Sequence, residues 1–144
     1  MPMPQPADPL HDDHDAAAST ATPTDTTKTV ALMGAVAASL VVMSVLHLSG
    51  VIQGGSKPYR PGGAGIAEAV IAVVLATGAF ALRRAPGRAR RLALGATGFA
   101  IAGFLVGLSF TLRGGSPVDI AYHLTGLPVL LITLAFLLRR RAPA

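Results

Sequence analysis

Four side chains in this 144-residue sequence combine acid–base chemistry with an apolar setting: His47, Glu68, Asp119 and His123. Two imidazoles and a carboxylate are a sufficient ligand set for zinc, copper or iron. Two histidines alone can ligate a haem edge or contact a quinone headgroup. A Glu–His pair can carry protons or bind a cationic substrate, because histidine titrates near neutral pH. The plainer alternative is that the histidines hydrogen-bond Glu68 and the link backbones, holding helix ends together. None of the four sits in an HExxH spacing, and no Ser-His-Asp, Walker-type or dinucleotide pattern occurs. No catalytic residue is therefore assigned, and metal and cofactor stay undetermined. With no cysteine in the chain, disulfides and thiolate metal sites are excluded.

The elements that must position these groups are four apolar segments, at about 30–52, 64–83, 91–112 and 118–139. At 1.5 Å rise per residue, each is long enough to cross a hydrocarbon layer of roughly 30 Å. A bilayer accepts only helices or closed barrels, so the expected fold class is an all-α integral membrane protein, a four-transmembrane-helix bundle. Composition agrees, with 51% hydrophobic and 13% charged residues, about half the charge of soluble domains. His47, Glu68 and His123 fall at nearly one depth, in the outer third of such a bundle, where polar groups are costly and face the interior or a partner. His123 is the expected partner of Glu68, and Asp119, one turn from His123, is placed to hydrogen-bond its ring.

The basic residues give orientation. Lys28, Arg83, Arg84, Arg88, Arg90, Arg91, Arg139, Arg140 and Arg141 flank one end, against Lys57, Arg60 and Arg113 at the other. By the positive-inside bias, both termini and the Arg-rich link are cytoplasmic in a multi-pass protein of the cell membrane. The arginines form a membrane-surface patch for anionic headgroups, each worth about 1 kcal/mol. Nucleic acid is not needed to explain them.

Residues 1–28 are rich in Pro, Asp, Ser and Thr, a composition that reads as a disordered cytoplasmic tail before a transmembrane domain over 29–144. His11-Asp12-Asp13-His14-Asp15 within it reads as solvated linker rather than a metal site. Inside the membrane part, Leu48-Ser49 with Gly54-Gly55-Ser56 is echoed by Leu108-Ser109 with Gly114-Gly115-Ser116. Phe80-Ala81-Leu82-Arg83-Arg84 is echoed by Phe136-Leu137-Leu138-Arg139-Arg140. The echo predicts two tandem helical hairpins, a parallel repeat. Small residues predict close helix contacts: Ala64, Ala72, Ala76 and Ala79 beside Glu68, and Gly95, Gly103 and Gly107 in the third segment, the last two a GxxxG pair that could serve a homodimer. Pro128 removes a backbone donor from the fourth helix and predicts a kink.

Four short helices, Gly65-Ile66-Ala67-Glu68-Ala69 near the start of the second and Gly78 later in it resemble DoxX-like membrane proteins, and also small uncharacterised actinobacterial ones. The Asp119-Ile120-Ala121-Tyr122-His123 stretch departs from the DoxX pattern. That resemblance implies a redox-accessory role linked to quinones. The residues themselves point to a non-enzymatic accessory subunit or binding module, alone as a homodimer or in a larger membrane complex. The alternatives are a small dimeric proton-coupled transporter using Glu68, and a redox, haem or quinone-associated subunit.

Overall fold

The computed structural model describes residues 23–53 and 60–139. Among them the chain is all-helical: α1 Pro23–Leu48, α2 Pro61–Arg84, α3 Arg90–Gly114 and α4 Pro117–Arg139. All four are long and apolar enough to cross a membrane, with mean hydropathy from 1.9 to 2.3. They fit a multi-pass membrane protein. The exterior supports this, because Val41, Val45, Val73, Phe99, Leu105 and Leu131 are all exposed. In water such a surface would aggregate; in lipid it costs nothing.

Two boundaries correct the sequence reading. Residues 23–28, expected in the disordered tail, begin α1 instead. Pro23 suits the first helical position, where its missing N–H has no partner to lose, and Asp25 lies in the first turn, favourable to the helix dipole. At its other end α1 stops at Leu48, short of Ile52, because Gly50 turns to a φ of 75°. Only glycine takes that conformation readily. The chain then folds back, with Ile52 N–H donating to Leu46 O at 3.1 Å and the Ile52 side chain buried. The His11–Asp15 cluster, Gly54-Gly55-Ser56, Arg140 and Arg141 lie outside the described residues.

The core runs down the middle as Met33, Leu40, Leu75, Leu82, Phe104, Leu130 and Leu137, each nearly inaccessible. α1 packs chiefly on α2, α3 on both α2 and α4, and α1 also touches α4. We call the two ends of the bundle the arginine end, with the α2–α3 link, and the histidine end, with the α3–α4 link.

Glycines set how close the helices come. A Cβ on Gly65 would lie 2.8 Å from Leu48 Cγ, 3.1 Å from Ser44 O and 3.2 Å from His47 Cβ. On Gly78 it would lie 2.7 Å from Ala96 Cβ and 3.1 Å from Met33 Cε. The first contact seats α2 on the end of α1 that carries His47, and Ser44 Oγ locks it by donating to Gly65 O at 2.7 Å. The GxxxG glycines are used inside this chain: Gly103 accommodates Ile71, and Gly107 accommodates His123. On α2, Ala72 and Ala79 join the core but Ala76 is exposed, because the buried stripe follows Glu68, Ala72, Leu75 and Ala79.

Gly65→Ala should lower stability by ~1–3 kcal/mol, the usual cost of overpacking a tight contact. Gly98→Ala, with open space around its Cβ, should be neutral or stabilise by up to about 1 kcal/mol through helix propensity. Thermal unfolding in detergent, followed by helix ellipticity, compares the two.

Candidate functional site

The site is built at the histidine end, where the last two turns of α1 meet the first turns of α2 and α4. His47 stands at its centre. Its Nδ1 lies 2.7 Å from Glu68 Oε2 and its Nε2 lies 3.0 Å from Asp119 Oδ1. All three side chains are buried, His47 to 3%, Glu68 to 6% and Asp119 to 0% exposure. One imidazole thus joins carboxylates from two other helices.

That arrangement corrects two pairings expected from sequence. Glu68 pairs with His47, not with His123. Ser44–Gly65 contact brings α1 and α2 together one turn from both residues, whereas His123 is drawn toward α3. The Asp119 carboxylate likewise faces His47 and not the His123 ring; only the Asp119 backbone carbonyl accepts from His123 Nδ1, at 2.8 Å. Asp119 is held by its place in the helix start. Its Oδ2 accepts from Ser116 N–H at 3.4 Å, and its own N–H donates to Ser116 Oγ at 3.2 Å. This is a capping box, with Ser116 before the helix and Asp119 three residues on. Ser116-Pro117-Val118-Asp119 carries that signal openly, and it could have placed Asp119 from sequence.

Proton states follow from the partners. The His47 Nδ1–Glu68 Oε2 contact is a hydrogen bond, and the His47 Nε2–Asp119 Oδ1 contact is at ion-pair distance. His123 donates from Nδ1 to a carbonyl, which can only accept. Ser39 Oγ–H is given to Val36 O at 2.8 Å, so Tyr122 O–H donates to Ser39 Oγ at 3.0 Å. Tyr122 and His123 pack with Phe104 as a cluster of three rings, with centroids 5.3–5.8 Å apart. Two glycines admit this cluster, Gly107 under His123 and Gly126 under the Phe104 ring.

A cleft of about 680 Å³ opens beside this network. Its walls are α2, through Ala64, Ala67 and Val70, and α3, through Phe99, Ala102 and Val106. His47, Glu68, Tyr122 and His123 also line it, with Arg60 the one further charged residue among those described. His47, Glu68 and His123, expected at one depth, line this cleft together, and α3 forms one of its walls. Among the described residues no three His, Asp or Glu are grouped to hold a metal ion. Ligating a metal or haem through His47 would cost one of its two carboxylate contacts.

The basic patch is divided in role. Arg83, Arg84, Arg88, Arg91 and Arg139 are exposed at the arginine end, and Arg84 lies over the Phe80 ring at 5.1 Å. Arg90 is half-buried and donates to Leu137 O at 2.9 Å and Leu138 O at 3.3 Å. It caps the last turn of α4 and is not available to a headgroup in the way its neighbours are.

No protein-family model, curated protein or solved structure matches this chain.

His47→Leu should cost ~3–5 kcal/mol, since it strands two buried carboxylates. Combined with Glu68→Leu, the loss should fall well short of the sum of the single effects. SDS titration of the detergent-solubilised protein, read by ellipticity, measures both.

Proposed function

We propose that this chain is a multi-pass protein of the cell membrane that works as a binding module, alone or as an accessory subunit of a larger complex, and holds a small lipid-soluble molecule in the cleft between α2 and α3. One observation carries the reading: a buried acid–base network lies beside a cleft whose two walls are apolar and partly exposed on the outside of the bundle. Small-molecule sites have this character, mostly apolar with a few polar groups that fix orientation. Polar groups at this depth in a membrane are retained where they serve a partner. The site lies in the outer leaflet, because the positive-inside bias puts the arginine end and both termini in the cytoplasm. The exposed arginines there meet anionic headgroups.

The helical hairpins α1–α2 and α3–α4 are read as a duplication. In the alignment that matches Leu48-Ser49 with Leu108-Ser109, His47 corresponds to Gly107. One half contributes the imidazole and the other the notch that admits His123. The DoxX-like resemblance adds a redox-accessory role as a narrower form of the same reading.

Two experiments test it. The chain has no cysteine of its own, so single cysteines report topology cleanly. Gln53→Cys should react with an impermeant maleimide on intact cells, and Gly87→Cys only after permeabilisation; the reverse pattern overturns the orientation. Gently purified protein should retain a lipid-soluble molecule, visible by mass spectrometry of an organic extract. Ala67→Trp, which fills the cleft from an exposed wall position, should lose it while keeping wild-type ellipticity. Retention unchanged by Ala67→Trp overturns the cleft as the binding site.

A further inference from the structure

A second recess, a groove of about 440 Å³, runs along the outside of the α1–α2 seam. Gly34 and Ala38 on α1 and Ala76 on α2 line it, and all three are exposed. A Cβ on Gly34 would meet nothing within 4 Å, whereas those on Gly65 and Gly78 would collide with neighbours. Gly34 therefore deepens the groove and serves no contact inside this chain.

The groove has a definite length. On α1 it runs from Val30 to Val41, and on α2 from Arg83 back to Ala72. At 1.5 Å rise per residue either span is about 16 Å. One leaflet of a roughly 30 Å hydrocarbon layer is about 15 Å deep. The groove thus starts at the arginine end and stops near mid-bundle.

It also has a charge at one end. Its lining is apolar except at the mouth, where Arg83 borders it. Arg84 lies 5.1 Å over the ring of Phe80, itself a groove residue, and this holds a second guanidinium at the same mouth. No carboxylate lines the groove among the described residues.

Length and charge together select the occupant. A helix of another protein would use the whole span, and the groove covers half of it. A second copy, paired about a two-fold axis along the membrane normal, would present the same face at the same depth. Arg83 and Arg84 would then meet their own counterparts, with no carboxylate from the groove between them. A phospholipid with net negative charge matches both features. Its acyl chain is one leaflet deep, and its phosphate suits the planar donor fork of arginine.

We propose that the α1–α2 groove seats one anionic phospholipid of the leaflet at the arginine end, with an acyl chain along Gly34, Ala38 and Ala76 and the headgroup on Arg83 and Arg84. The seat is separate from the α2–α3 cleft, and more local than the attraction of the other arginines for a charged surface. It closes the half of the seam that the Ser44–Gly65 and His47–Glu68 bonds do not reach.

The test incubates the delipidated full chain in detergent with equal amounts of dioleoyl phosphatidylglycerol and dioleoyl phosphatidylcholine, read by native mass spectrometry. One lipid should be retained per chain, the phosphatidylglycerol favoured at least about tenfold, and Arg83→Gln should lower that preference about fivefold. Gly34→Leu fills the groove from a position with open space around its Cβ. It should abolish most of the retention and leave helix ellipticity unchanged. Should it fail to fold, Ala76→Leu repeats the test from the exposed wall of α2. Excess glycerol phosphate should not displace the lipid, which separates a lipid seat from a site for free phosphate. Equal retention of the two lipids, retention unchanged in the folded leucine variant, or displacement by glycerol phosphate overturns the seat. A dimer that holds no lipid and that Gly34→Leu dissociates overturns it in favour of a second copy.

Discussion

His47 is the interaction on which the histidine end depends. A single ring, buried to 3% exposure, faces carboxylates from α2 and α4 through its two nitrogens. The three helices therefore stand or fall together at this point, and α1 cannot shift along α2 without exposing Glu68 to the apolar surroundings. Buried ion pairs are poor sources of net stability but strong determinants of register, because a wrong register leaves a charge unpaired. That trade suits a bundle otherwise packed by Ala, Gly and Leu, whose apolar contacts are tolerant of sliding.

The geometry that permits the pairing is backbone geometry. Gly65 lets α2 approach α1 within one turn of both His47 and Glu68, and Ser44 fixes the approach with a bond to the glycine carbonyl. Gly107 and Gly126 admit His123 and Phe104 reciprocally between α3 and α4. Asp119 is aimed by its capping bonds to Ser116. Each functional side chain is thus oriented by a neighbour that does no chemistry. In a membrane, where helix association relies on close packing and internal hydrogen bonds, this is the available means of precision.

Much of this was legible in the chain. Length and apolarity identified four helices, and the rarity of polar groups inside them singled out His47, Glu68, Asp119 and His123. The pairing was not legible, because periodicity gives a residue's face and depth but not which neighbouring helix comes closest at that depth. His47 and His123 were equivalent by that measure. What separates them is Gly65 on one side and Gly107 on the other, and a glycine's role depends on what lies opposite. The early start of α1 was hidden because the Pro, Asp and Thr of residues 23–28 suit both a disordered tail and a helix N-terminus. Arg90 was grouped with its neighbours by charge, although its bonds to the end of α4 require knowing that α3 and α4 lie side by side.

The fourth helix is gripped at both ends. Ser116 and Asp119 hold its start, Arg90 clasps the carbonyls of Leu137 and Leu138 at its finish, and Pro128 sits between them, removing the backbone bond that would stiffen the middle. A rod pinned at its ends and weakened at its centre does not slide or rotate under load; it bows. The compliant point of the bundle is therefore the span from Leu124 to Pro128, immediately below His123, and lateral pressure on that span is felt first at the ring that borders the cleft.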